Sequence, residues 1–385
     1  MKKLMLTFAA IAPLVTLAGL YGDVPDSKHA WCVHDMNRPL PHRVTVNEKG
    51  IPSDAIVLFD GTRESLDANW SDEKGQPTKW TIKNGGFSAE DKWGLGSIRT
   101  KKEFGDCQLH IEYRHPENAK TVVPGNAQMR GNSGVFFLGP KYGYEVQVLE
   151  SYYTCAELEG KDELIPNYAD GIAGSVYAEN PPAVNPQRKP GEWQVYDIVF
   201  HQPVWNGDKL VHPGSLTVFF NGVLVQDHWE MDGQTTHCRR RPLAPHPTTG
   251  PLLLQDHGCE VAFRNIWLRP LASRWANKTH SNMSADEGAV MAERRATAAK
   301  LYAKIADPKA VNAETVKALA EVIAYAFESD YSYDHAGEYK AAFDAALKAY
   351  RETKPTDEKE IKSVNDALKV LVRGKILDES ALISK

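Results

Sequence analysis

The stretch Gly250-Pro251-Leu252-Leu253-Leu254-Gln255-Asp256-His257-Gly258, followed by Phe263-Arg264-Asn265-Ile266, decides how this chain is read. Leu252 to Leu254 is an apolar run of the kind that enters a core as a strand. It delivers Gln255, Asp256 and His257 to a point where Gly258 lets the backbone turn. A second strand, Val261 to Leu268, follows at once. Two readings stand on this stretch alone. Asp256 and Gly258 are turn residues beside a surface histidine, or the three polar side chains belong to a site carried at the end of a rigid element.

Working outward, residues from about Ile51 to Pro270 read as strands and turns. Ala55 to Phe59 runs into Asp60-Gly61, Trp80 to Ile82 ends at Asn84-Gly85-Gly86, and Gln108 to Arg114 alternates as a strand should. Gly134 to Leu138, Tyr144 to Leu149, Val195 to Phe200 and Leu216 to Phe220 follow. Asn221-Gly222 then joins Leu216–Phe220 to Val223–Gln226, the strongest short hairpin signal in the chain. Many strands without helical pattern between them imply a mainly β sandwich or jelly roll, not a parallel α/β sheet.

The character changes near Arg274. From Ser284 to Lys385 Ala, Lys, Glu and Leu dominate, and apolar residues recur at helical spacing, as in Val316, Leu319, Val322 and Ile323. Pro308 and Lys354-Pro355-Thr356-Asp357 divide this tail into three or four helices. Thr356 is the expected N-cap of the last. The boundaries expected are a leader at 1–20, an extended segment at 21–50, the β domain at 51–272 and an α-helical bundle at 280–385. No catalytic constellation marks the bundle, which is expected to pack or to bind a protein partner.

Lys2 and Lys3 precede an apolar stretch from Leu4 to about Leu20, with small residues near its end. That is the pattern of a secretory signal peptide, implying export to a periplasmic or extracellular location without stable membrane insertion after cleavage. A net charge of −5 and no long basic run argue against a nucleic-acid partner. Five scattered cysteines without C-x-x-C spacing leave at least one thiol unpaired in a monomer and make cysteine-rich structural zinc improbable.

A second informative place is Tyr144-Glu145-Val146-Gln147-Val148-Leu149-Glu150. On a strand, Glu145 and Gln147 share one face while Val146 and Val148 share the other, and Glu150 falls opposite Glu145 unless a bulge intervenes. Upstream, Arg130 and Asn132 lie in a polar loop, Asn126 to Gly134, and are able to bind hydroxyl or carbonyl oxygens. Downstream, Trp193 and Asp197 share a strand face, and Trp193 is suited either to a sugar's apolar face or to the core. Asp170 to Tyr177 contains glycine but lacks the Lys and Ser/Thr of a phosphate loop. Neither G-x-S-x-G nor an H-E-x-x-H helix is present.

Taken in order, these segments resemble the family of secreted proteins named for 3-keto-disaccharide hydrolysis, also called 3-keto-glucoside 1,2-lyase/3-keto-2-hydroxyglucal hydratase domains. The resemblance spans roughly Ile51 to Pro270. It is carried by Leu58-Phe59-Asp60-Gly61, Asn132 to Phe136, Tyr144 to Leu149, Pro190 to Asp197, Asn221-Gly222-Val223, Gly250 to Gly258 and Phe263 to Ile266. It implies a concanavalin-like jelly roll of two antiparallel sheets acting on glycosides already oxidised at sugar C3. The helical tail lies outside it, and the segment from Tyr152 to Asn167 is longer than the family's usual connection.

A ketone at C3 acidifies the C2–H, so a base can remove that proton while the C1 substituent leaves, and water then adds back. Glu145 or His257 is the candidate base. Asn132, Gln147, Trp193, Gln255 and Arg264 are candidates for substrate binding. Asp256, His257 and Glu145 are candidate ligands of one divalent metal ion, whose oxygen and nitrogen donors would suit a hard or borderline cation. Two other readings compete. Glu145-Val146-Gln147-Val148-Leu149-Glu150 resembles the E-x-D-x-x-E strand of laminarinase-like retaining glycosidases, with Gln147 in place of the middle Asp. A carbohydrate-binding module without catalysis is the other, since one fold hosts both.

Overall fold

The computed structural model describes residues 22–83, 85–89, 94–117, 127–161, 167–271 and 284–384. The proposed leader, Asn84 of the second turn, Asn126 of the polar loop and part of the Tyr152–Asn167 segment lie outside the described residues. The chain divides into two compact units, residues 43–281 and residues 1–42 with 282–385.

In chain order the first half of the β unit contributes β1 (Ile56–Phe59), α1 (Arg63–Asn69), β2 (Trp70–Asp72), β3 (Thr81–Lys83) and β4 (Gly86–Ser88). Next come β5 (Ile98–Phe104), β6 (Cys107–Arg114), β7 (Ser133–Phe137), the short α2 (Gly139–Tyr142) and β8 (Tyr144–Val148). The second half contributes β9 (Gln194–His201), β10 (Val204–Asn206), β11 (Lys209–His212), β12 (Ser215–Phe220) and β13 (Val223–Glu230). It ends with β14 (Gly233–Gln234), β15 (Arg241–Pro242), β16 (Gly250–Leu254) and β17 (Ala262–Pro270).

One large sheet runs β13-β12-β9-β6-β17-β4-β3, with β1 also on β17, and the other runs β2-β5-β16-β7-β8. Every pairing within them is antiparallel. This is the jelly-roll sandwich. Period-two patterning builds it: in β6 Cys107, Leu109, Ile111 and Tyr113 are buried while Gln108, His110, Glu112 and Arg114 alternate with them. Tyr196, Ile198 and Phe200 of β9, Val146 and Val148 of β8, and Leu252 and Leu254 of β16 join the same core. Asn221 and Gly222 turn β12 into β13 with φ of 51° and 81°, the paired positive angles of a type I′ hairpin.

The edge of β8 is not left bare. Residues 174–177 run beside it, with Gly174 N–H donating to the Gln147 carbonyl (3.1 Å), Gln147 N–H to Ser175 (3.0 Å) and Tyr177 N–H to Glu145 (3.1 Å). That cover satisfies the outermost backbone groups. It also explains why all five residues of β8 are buried although only alternate ones face the core.

The second unit holds α3 (Ser284–Tyr302), α4 (Ala313–Ala326), α5 (Ala336–Glu352) and α6 (Glu358–Arg373) around Val316, Leu319, Ile323, Phe343, Leu368 and Leu371. Asp357, not Thr356, caps α6, accepting from the N–H groups of Lys359 (2.8 Å) and Glu360 (3.0 Å). An N-cap oxygen must reach N–H groups two and three residues on, and only Asp357 stands at that distance from the first free donors. Residues 22–42 belong to this unit: the Trp31 indole donates to Glu293 (2.9 Å) and Cys32 N–H to the Tyr325 hydroxyl (3.1 Å). All five cysteines are free thiols. Among the described residues no helix is long and apolar enough to cross a membrane.

Candidate active site

The register of β16, β7 and β8 places two rows of residues across one sheet. Leu253, Phe136 and Glu145 form one; Gly134 and Gln147 belong to the next. Gln255 continues that second row past the end of β16, its N–H donating to the Gly134 carbonyl (3.1 Å) and its own carbonyl accepting from Ser133 Oγ (2.7 Å). Gly134 is therefore the one position between Gln147 and Gln255 without a side chain. The Glu145 carboxyl occupies that gap: a Cβ built on Gly134 would land on its Oε1, 3.0 Å from Cδ and 2.8 Å from Phe136 Cε2.

Glu145 is buried, and no hydrogen-bond partner for its carboxyl is found among the described residues. Burial alone pushes its pKa well above the ordinary carboxylate range, which favours the protonated form. Gln147 Nε2 donates to Asn132 Oδ1 (3.1 Å), while Asn132 Nδ2 donates to the Gln128 carbonyl (2.9 Å). Two of the expected binding residues thus form one amide pair. The Gln255 Oε1 is buried without a hydrogen-bond partner among the described residues, which leaves an acceptor pointing at no protein donor.

His257 is half-buried just beyond β16. Burial holds its pKa below the ordinary histidine value, with nearby His237 adding to that and Asp256 opposing it. Its imidazole is neutral at pH 7. Asp256 serves the turn: Oδ2 accepts from Gly96 N–H (2.8 Å), Oδ1 from Gly258 N–H (3.0 Å), and its own N–H donates to Ser97 Oγ (3.1 Å). Both oxygens of the expected metal ligand are thereby engaged by backbone. Among the described residues no group of three His, Cys, Asp or Glu side chains converges as a metal site. Asp256, His257 and Glu145 do not fit a divalent ion as a set, and no step below passes through one.

The structure adds residues the pattern reading did not single out. Tyr168 and Tyr177 hydroxyls lie 3.0 Å apart, and the Tyr177 hydroxyl lies 2.8 Å from His237 Nδ1. Burial raises the Tyr177 pKa, and the neighbouring Tyr168 and Glu145 both act in the same direction. Tyr177 is joined to Glu145 by the backbone bond given above. Tyr168, Tyr177 and His237 come from irregular segments, where no periodicity distinguishes them from loop filler.

Trp193 and Arg264 lie elsewhere. Arg264 is on β17 of the other sheet, ion-paired with Glu112 (2.7 Å), and its guanidinium stacks 4.0 Å from the Trp193 ring, whose neighbour is the Arg114 guanidinium (4.7 Å). His110 there bonds Asp197 (2.6 Å) and stacks on Trp267 with centroids 5.0 Å apart. The structure does not bring Trp193 and Arg264 to Glu145. Their side chains satisfy each other on the sheet that carries β6, β9 and β17.

Glu150 is likewise not a partner of Glu145. It is fully buried in an ion pair with Arg130, whose guanidinium also donates to the Glu150 carbonyl (2.5 Å). Its Oε1 accepts from Tyr152 N–H (2.8 Å). A carboxylate locked this way is not placed to attack a sugar, which removes the paired carboxylates of a laminarinase-like site.

A comparison with curated proteins finds no match. Among solved structures, a presumed glycosyl hydrolase from Parabacteroides distasonis is 36% identical with a TM-score of 0.52, covering 64% of this chain and 100% of that one. A second presumed glycosyl hydrolase from the same organism is 21% identical with a TM-score of 0.39, covering 57% of this chain and 94% of the other. The model of the 3-keto-alpha-glucoside-1,2-lyase-like domain matches residues 54–269, all but the last residue of the two large sheets. The chain therefore belongs to the family of 3-keto-alpha-glucoside-1,2-lyase-like domains, a family of carbohydrate-active enzymes.

Proposed function

We propose that the β unit cleaves 3-keto-glycosides by elimination across C1–C2 followed by hydration, with Glu145 as general acid and His257 as general base. The observation that carries this is the pair of opposed proton affinities on one sheet, Glu145 on β8 and His257 just past β16. A buried carboxyl whose proton affinity is raised lies over Gly134, and a histidine held neutral follows Gln255 beyond the end of β16. Two groups pushed in opposite directions are what acid and base roles require at one pH.

His257 takes the C2 proton, the C1–C2 double bond forms as the C1–O bond breaks, and Glu145 gives its proton to the departing oxygen. Water then adds its hydroxyl to C1 while its proton returns to Glu145, and the His257 imidazolium, whose proton exchanges with solvent while the glucal stands, protonates C2. Both groups end as they began, and the sum is hydrolysis. Charge gathering on the C3 oxygen calls for hydrogen-bond donors, a part suited to the Asn132–Gln147 amide pair and to the Tyr177 hydroxyl. The buried Gln255 Oε1 is suited to accept from a sugar hydroxyl.

Export of the enzyme belongs to the same proposal and rests on Lys2, Lys3 and the apolar stretch after them. The test is incubation of purified full-length protein with 3-keto-glucosides of both anomers, followed by NMR. Appearance of the 2-hydroxy-3-keto-glucal and then 3-keto-glucose is expected. Tight binding of these sugars without turnover would instead identify a binding module.

A further inference from the structure

A cavity of about 200 Å³ is lined in part by Tyr177, the residue whose N–H donates to the Glu145 carbonyl. It is lined by the exposed Arg239, Arg240 and Arg241 together with Glu179 and Asp232. The carboxyls are already occupied: Glu179 Oε1 accepts from the Trp229 indole (2.9 Å) and from Asp232 N–H (2.6 Å), and Asp232 lies 3.9 Å from Arg240. Burial also lifts the Glu179 pKa to about 7, so this acid carries only part of its charge at neutral pH. Arg241 spends one donor on the Lys141 carbonyl (3.3 Å), and Arg239 makes no ion pair among the described residues. Three cations therefore stand against fewer than two full negative charges. Each guanidinium has donors in a fork that matches a carboxylate or phosphate.

We propose that this pocket is a subsite for an anionic group on the leaving part of the substrate. The inference rests on the elimination described above, in which Glu145 protonates the departing C1 oxygen and the leaving group projects past Tyr177. The preferred substrates are then 3-keto-glycosides whose aglycone bears a carboxylate or phosphate within one ring's reach of C1.

The test uses two 3-keto-glucosides that differ only in charge, those of 4-hydroxybenzoate and of its methyl ester. The native protein is expected to favour the acid by about tenfold or more in kcat/KM, mainly through KM, the size a charge-assisted hydrogen bond provides. Added salt is expected to shrink that preference. Replacing Arg239→Ala and Arg240→Ala together should bring the acid down to the level of the ester while turnover of the ester, which also reports correct folding, stays unchanged. Equal kcat/KM for acid and ester in the native protein, or a preference that survives the double replacement, overturns the subsite. Should neither compound turn over, calorimetric binding of 4-carboxyphenyl glucoside separates the two ideas. Binding lost on double replacement keeps the subsite and rejects the elimination, whereas no binding to the native protein rejects the subsite as well.

Discussion

Replacing Gly134→Ala puts the Glu145 placement under direct strain. The added methyl would fall on Oε1, with Cδ at 3.0 Å and Phe136 Cε2 at 2.8 Å, all inside ordinary van der Waals separation. Phe136 lies on the same strand two residues on and Gly134 is buried, so the sheet cannot open to relieve the contact. The carboxyl has to swing away by roughly 1 Å. A displacement of that size at a reacting group costs on the order of 10²-fold in rate. Overpacking should lower stability by about 1–3 kcal/mol. The assay is kcat on a 3-keto-glucoside together with a thermal melt at the same pH. A hundredfold loss of kcat in a protein that still melts cooperatively is the expected result. A variant that keeps kcat within about threefold of native would show that the carboxyl position over Gly134 is not what the chemistry uses.

Four further outcomes concern Glu145 itself and two ion-pair networks elsewhere in the β unit. Glu145→Gln, which keeps the shape and removes the acid, should lower kcat by about 10²–10⁴-fold with little change in melting temperature; full activity would remove Glu145 from the acid role. The native rate should fall at low pH as His257 gains a proton and at high pH as the buried Glu145 loses one, so Glu145→Gln should abolish the alkaline limb of the profile. Arg130→Ala leaves the Glu150 carboxyl buried opposite no cation and should cost about 3–5 kcal/mol in chemical denaturation, since both side chains of the pair are essentially inaccessible; a loss below about 1 kcal/mol would contradict that placement. On the other sheet, burial pulls the His110 pKa down, but Asp197 and Glu112 outweigh it and raise it to about 9. Burial likewise raises Glu112, but His110, Asn265 and Arg264 bring it to about 2. The His110 contribution is complete below its unfolded value of 6.5 and is lost as pH rises through about 9; that of Glu112 is complete above 4.5 and is lost as pH falls through about 2. The gap in melting temperature between native and His110→Gln should therefore be widest near pH 6 and close by pH 10, and a gap independent of pH would refute it.

Much of the sandwich is written in local pattern. Alternation in Gln108–Arg114, the apolar run Leu252–Leu254 and the Asn221-Gly222 turn each name their element without help from distant residues. Glu145 and Gln147 were legible for the same reason, because parity on a strand assigns a face. What parity cannot supply is which sheet a strand joins. Arg264 follows the Gln255–Gly258 stretch by only a few residues, yet β16 and β17 go to different sheets and Arg264 settles on Trp193 and Glu112. Nor does composition reveal that Asp256 is held by Gly96 and Gly258, or that Glu150 is neutralised by Arg130 twenty residues upstream. Tyr168, Tyr177 and His237 were out of reach because loops carry no period, and the packing of residues 22–42 on the helices joins segments more than 250 residues apart in sequence.

The central claim is that C2 gives up its proton and later receives one. The most direct measurement is turnover of a 3-keto-glucoside in deuterium oxide, with NMR of the released sugar and subtraction of the exchange seen without protein. Elimination followed by hydration predicts one solvent deuteron at C2 of every 3-keto-glucose released. Cleavage that leaves protium at C2 would mean direct displacement at C1 and would contradict the roles given to His257 and Glu145.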